Sequence, residues 1–152
     1  MTNEIPLSDV VDILHHHQVP PSIQRLAILK YLIEHPIHPN VDKIYNALNE
    51  ELPTLSRTTV YNTLKLLSDH KVIQTLTIDE HNNCYDANVR PHAHFQCRKC
   101  GRIYDLGYTD GCDLCSTGER EGFLVEEAQL YYKGICRSCR EEEEANAQGS
   151  AD

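Results

Sequence analysis

A chain of 152 residues has room for one ordinary domain or two small ones, and a half-length unit buries too little apolar surface to be robust without a staple. The net charge of −9 speaks against a broad nucleic-acid-binding surface, so any such contact has to come from a local patch. Seven cysteines without a signal peptide or a long apolar run argue against a disulfide scaffold or a membrane span and point to a reducing cytoplasm.

From residue 6 to 17, Leu7, Val10, Val11, Ile13 and Leu14 recur at helical spacing until Pro20-Pro21 ends the segment. Ser22 is the expected N-cap of a second helix, with an apolar stripe from Ile23 to Ile33 that Pro36 stops. Asn40 caps a third helix carrying Val41, Ile44, Tyr45, Leu48 and Leu52 with Pro53 at its end, and Ser56 opens a fourth that runs to about His70. In that fourth helix Val60, Leu64 and Leu67 form one apolar seam. Arg57, Thr58, Tyr61, Asn62 and Lys65 lie elsewhere on its surface, and no acidic residue occurs from Ser56 through Leu67, which suits contacts to phosphates and base edges. Residues 72–78 read as a strand, the polar Asp79-Glu80-His81-Asn82-Asn83 as a turn, and Cys84-Tyr85-Asp86 as the returning strand. Helices followed by a hairpin describe a winged helix-turn-helix, a fold that composition alone fits equally to DNA binding and to a helical protein-interaction module.

A linker is expected at residues 88–92, where the helix-rich half gives way to one rich in cysteine and histidine. The expected organisation is a winged-helix domain over 1–87, a small α/β domain over 93–140 and a solvated acidic tail over 141–152, so the fold class is α+β. In the second domain, residues 95–97 and 102–106 are expected to pair about the Cys-Gly turn, 122–125 and 128–132 to add strand, and 111–120 to form a short helix. His92 and His94 stand two apart, so on a strand both rings point to one face and can grip one ion. Cys97 and Cys100, followed by Gly101, make half of a tetrahedral zinc site. The other half is expected to be Cys136 and Cys139, because joining the first strand to the chain end closes the longer loop; Cys112 and Cys115 also have workable spacing.

Ile23-Gln24-Arg25, His38-Pro39-Asn40-Val41-Asp42-Lys43-Ile44-Tyr45, the Thr59-Val60-Tyr61 helix, the HxHxxCxxCG run and the terminal CxxC together resemble the ferric uptake regulator (Fur) family of bacterial metal-dependent repressors over nearly the full chain. The resemblance implies a homodimer with an N-terminal winged-helix DNA-binding domain and a C-terminal dimerisation domain. It also implies a regulatory metal at the hinge and a double-stranded operator of two-fold symmetry. Carried over position by position, the regulatory ligands are His38, Asp86, His92, His94 and Asp105. The two aspartates, with Pro91 and Ala93 beside the histidines, resemble the peroxide-sensing PerR branch. The chain departs from the family pattern at Pro21-Ser22 and at the extra Cys112/Cys115 pair.

Three imidazoles and two carboxylates suit Fe²⁺ or Mn²⁺, while the thiolate site suits structural Zn²⁺. Resemblance to the PerR branch implies that peroxide, reduced at iron, adds one oxygen atom to His38 or His92 and so releases DNA. The expected function is a peroxide-sensing repressor. A sensor of iron, manganese or zinc availability is one alternative, and a metal-storing or thiol-redox protein using Cys112 and Cys115 is another. No hydrolytic or transfer constellation is visible, and no enzyme is expected.

Overall fold

The computed structural model describes residues 4–108 and 118–150. The chain divides into two compact units, residues 1–89 and 90–152.

The first unit begins with α1 (Leu7–His16), α2 (Ile23–Glu34), α3 (Val41–Leu48) and α4 (Arg57–Asp69). Three of the four starts use the expected caps. Ser22 Oγ accepts from the Arg25 amide, Asn40 Oδ1 from Lys43 and Ser56 Oγ from Thr59, each satisfying an amide that the helix itself leaves open. Gln18 and Lys71, with φ of 61° and 62°, turn the chain out of α1 and α4 in the left-handed conformation that often closes helices. The apolar faces of the four helices meet in one core that includes Val10, Leu14, Ile28, Leu29, Ile44, Val60, Leu64 and Leu67.

Strands β1 (Gln74–Leu76) and β2 (Cys84–Asp86) form an antiparallel wing with Gln74 opposite Asp86 and Leu76 opposite Cys84. The wing ladder is shorter than the expected strand over 72–78. The Val72 amide is committed to the Leu67 carbonyl at the end of α4, and Val72, Ile73 and Ile78 instead serve as buried side chains outside the ladder. Replacing Leu64 by alanine, at a site with no solvent exposure, is expected to destabilise this unit by about 2–5 kcal/mol; urea unfolding followed by helical circular dichroism measures it.

The second unit is a three-stranded sheet in the order β4-β3-β5, with β3 (His92–Cys97), β4 (Ile103–Tyr108) and β5 (Tyr131–Gly134), followed by helix α5 (Arg137–Gly149). β3 pairs antiparallel with β4, Phe95 opposite Tyr104, and parallel with β5, Phe95 opposite Tyr132. Gly101, at φ 76°, makes the turn between β3 and β4 as its place after Cys100 required.

Residues 122–125 do not form the expected strand, and of 128–132 only Tyr131 and Tyr132 enter one. Most of the segment expected as a short helix, 111–117, lies outside the described residues. The acidic stretch expected as a frayed tail instead continues α5 to Gly149 with its side chains solvated. The Lys99–Glu143 pair at 3.0 Å and the Arg140–Glu144 pair at 3.7 Å offset repulsion along the glutamate run, and the cysteines at the start of the helix anchor it.

Candidate metal centres and nucleic-acid face

Cys97 ends β3, Cys100 lies on the turn, and Cys136 and Cys139 sit at the N-cap and first turn of α5. Their four sulfurs lie within 4.8 Å of one another, and Cys100 Sγ and Cys136 Sγ are 3.8 Å apart. A tetrahedron of sulfurs at about 2.3 Å from a central ion has edges of about 3.8 Å, so the four thiols fit zinc. Backbone amides support the charge such a site collects. The Cys100 and Cys136 amides both point at Cys97 Sγ and pull its thiol down to about 6. Cys136 is also lowered, first by the Cys139 amide and then by the Tyr104 hydroxyl, whereas Cys139 is pushed up to about 12 chiefly by its hydrogen bond with Cys136. Three of the four cysteines are buried, packed by Phe95, Tyr104 and Ile135. Cys112 and Cys115, the other pair considered, lie outside the described residues.

The expected regulatory ligands fall into two groups, each assembled within its own unit. In the first unit His38 Nε2 and Asp86 Oδ2 are 3.5 Å apart and both side chains are buried. The pair is built by two elements: the Tyr85 amide bonds the Pro39 carbonyl, holding β2 to the loop before α3, and the Asn88 amide occupies Asp86 Oδ1. His38 itself has φ 55°, a conformation that costs a non-glycine residue about 1–3 kcal/mol and persists only where its surroundings fix it.

In the second unit His92 and His94 lie on one face of β3, as alternation required, with ring centroids 4.2 Å apart. Both Nε2 atoms approach one oxygen, Asp105 Oδ1, at 3.0 Å and 3.2 Å. Asp105 is placed there by register, since β4 sets it directly opposite His94. The His92 Nδ1 hydrogen is committed to the Arg90 carbonyl at 2.6 Å. A neutral His92 ring then presents its Nε2 lone pair to a carboxylate oxygen, two acceptors facing each other, and only a second ring proton or a cation between them makes that arrangement favourable. The donor set therefore fits a nitrogen- and oxygen-preferring metal.

On α4, Arg57, Thr58, Tyr61, Asn62 and Lys65 are all exposed while Val60, Leu64 and Leu67 are buried, so the residues expected to meet nucleic acid are available to it. The acid-free stretch of sequence is not acid-free in space. Asp42 of α3 reaches across to Arg57, Oδ1 to Nε 2.8 Å, and the Arg57 guanidinium stacks 4.3 Å above the Tyr45 ring. Sequence inspection missed Asp42 and Tyr45 because they precede Arg57 by 15 and 12 residues and meet it only when α3 and α4 pack. It missed Tyr104 beside Cys136 for the same reason.

The model of the Ferric uptake regulator family matches residues 17–133. The peroxide-responsive repressor PerR of Staphylococcus epidermidis is 34% identical over 120 residues, covering 78% of this chain and 80% of that protein. The crystal structure of the Campylobacter jejuni peroxide stress regulator superposes with a TM-score of 0.64 at 28% identity, over 89% of this chain and 99% of that one. A structure of the ferric uptake regulator of Francisella tularensis with iron gives 0.64 at 25% identity, over 80% and 94%. Among the described residues no helix is long and apolar enough to cross a membrane. With the family model spanning most of the sequence and the winged helix, the four thiols and the His/Asp groups all in place, the chain belongs to the ferric uptake regulator family of transcriptional regulators.

Proposed function

We propose that the protein is a homodimeric, metal-dependent repressor that binds a two-fold symmetric DNA operator and senses peroxide by oxidation of its own ligand histidines. The observation that carries this reading is the convergence of His92 Nε2 and His94 Nε2 on Asp105 Oδ1, a thiolate-free donor set in a family whose relatives here include peroxide-responsive repressors. Cys97, Cys100, Cys136 and Cys139 hold structural Zn²⁺, and His38, Asp86, His92, His94 and Asp105 together hold Fe²⁺ or Mn²⁺. Since His38 and Asp86 belong to the first unit and the other three to the second, shared occupancy ties the two units into one orientation. A ligand that prefers that orientation shifts the population toward it, by about 2.7 kcal/mol at a hundredfold excess over its dissociation constant. Thr58, Tyr61, Asn62 and Lys65 on α4, with Arg57 at its start, then meet the operator in each of two half-sites.

A bound ferrous ion supplies the reduction of hydrogen peroxide beside its ligands, a reaction that Mn²⁺ supports far less. The residues of the chain do the rest. Hydrogen peroxide would give one oxygen atom to a ring C–H bond of His38 or His92 and leave its second oxygen as water, and the altered ring would lose its normal donor geometry and no longer hold the two units together. Equal low doses of peroxide given to the iron and manganese forms, followed by peptide mass spectrometry and DNA binding, test the reading. The expected result is an added oxygen on His38 or His92 in the iron form alone, with DNA released in parallel. Release with unmodified histidines and a Cys112–Cys115 disulfide would replace it with a thiol switch. No response to peroxide in either form would leave a sensor of metal availability, which the iron-bound relative makes the second reading.

A further inference from the structure

We propose that Arg57 reads a guanine edge and that Asp42 and Tyr45 are the residues that position it. This inference rests on the DNA-binding reading of the first unit and assigns base recognition within it.

Arg57 is the first residue of α4, and in a helix-turn-helix the N-terminal residues of the second helix are those that approach base edges. A free surface arginine is suited to following phosphates, because its long side chain samples many positions. Arg57 is held at two points. Its Nε donates to Asp42 Oδ1 at 2.8 Å, and the face of its guanidinium lies 4.3 Å over the Tyr45 ring. With Nε and one face occupied, the edge formed by the two terminal nitrogens is the part left for a partner, and its fork matches the paired acceptors O6 and N7 of guanine.

The surroundings favour a base over a phosphate. Arg57 lines a cleft of about 560 Å³ together with Asn40, Asp42, Thr58, Tyr61 and Asn82. The charges of Asp42 and Arg57 offset one another there, and apart from Val41 and the His81 imidazole the remaining side chains offer amides and hydroxyls. A phosphate entering this cleft gains little net attraction, because the Asp42 carboxylate offsets the Arg57 guanidinium, whereas a neutral base edge depends on hydrogen bonds and not on net charge. Asp42 thus lowers affinity for DNA in general while fixing the one side chain that discriminates among sequences.

The ion pair is exposed, with side-chain accessibilities of 57% for Arg57 and 62% for Asp42, so a purely structural role predicts little effect from its loss. Asp42→Ala, Arg57→Ala and the rescue variant Asp42→Glu would be compared with the parent protein. Each would be the full-length, metal-loaded chain, assayed against a duplex selected by the parent protein and against random duplex of equal length. The parent must first prefer the selected duplex; if it binds neither, the DNA-binding reading itself fails.

Given that preference, Arg57→Ala is expected to lower the ratio of selected to random affinity by about 10- to 100-fold, with the loss confined to substitutions at one G·C pair of each half-site. Asp42→Ala is expected to move the two affinities in opposite directions, random binding tighter and selected binding weaker, with Asp42→Glu restoring the ratio at least in part. The inference is overturned if Arg57→Ala weakens both duplexes equally and lowers the salt slope by about one, which marks a phosphate contact. It is also overturned if Asp42→Ala strengthens both equally, which marks Asp42 as a repulsive charge without a positioning role.

Discussion

Cys136→Ser is expected to yield a chain that retains no structural zinc, has a folded winged-helix unit and lacks a cooperatively folded second unit. The reason lies in what that unit has for a core. Among the described residues, one buried apolar cluster of this unit consists of Cys97, Cys136 and Cys139, with Phe95, Tyr104 and Ile135 only partly covered, so the thiols that take the metal are also a centre of its packing. Without a cation, sulfurs within 4.8 Å of one another cannot all ionise, and Cys139 is held protonated by Cys136 while Cys97 is drawn toward the thiolate. Zinc analysis is expected to fall from one ion per chain to none, size-exclusion chromatography to show loss of the dimer, and amide exchange to show protection only in residues 1–89. A zinc-replete Cys136→Ser dimer alongside a zinc-free Cys112→Ser protein would mean that the internal pair completes the site.

His94→Ala is expected to abolish the gain in operator affinity that Mn²⁺ or Fe²⁺ brings, a loss of about a hundredfold if the metal is at a hundredfold excess over its dissociation constant. His94 has no solvent exposure and shares Asp105 Oδ1 with His92, so its ring sits at the centre of the donor group. Truncating a fully buried ring also removes packing, and Asp105→Asn serves as the gentler companion because its side chain is 43% exposed and nearly the same shape. Both variants should keep their zinc and their metal-free DNA affinity while losing the response to added Mn²⁺, read by fluorescence anisotropy with an operator duplex. A full metal response in both would place the regulatory ion elsewhere.

The starts of the helices in the first unit were legible almost to the residue because their signals are local, whereas α3 stops at Leu48, short of the expected Leu52. Ser22, Asn40 and Ser56 each bond the amide three residues on, and the apolar spacing within each helix selects its buried face without reference to any other element. The strands were less legible. Ladder extent depends on partners distant in sequence, and residues 122–125 stay outside a sheet whose order is β4-β3-β5. The acidic run misled for a related reason. Composition predicts solvation correctly, but helicity there is nucleated by cysteines anchored beside Cys97 and supported by Lys99, which is 44 residues from its partner Glu143.

For the sites, the sequence by itself determined which residues have metal chemistry and which strand face His92 and His94 share, because ligand type and two-residue alternation are properties of the chain. Only the tertiary structure decided that Cys136 and Cys139 meet Cys97 and Cys100, that Asp105 lies opposite His94, and that Asp42 restrains Arg57. Those are pairings between elements distant in sequence. They follow from strand register and helix packing, whose energies are collected over many side chains at once and leave no mark at the individual positions that the function uses.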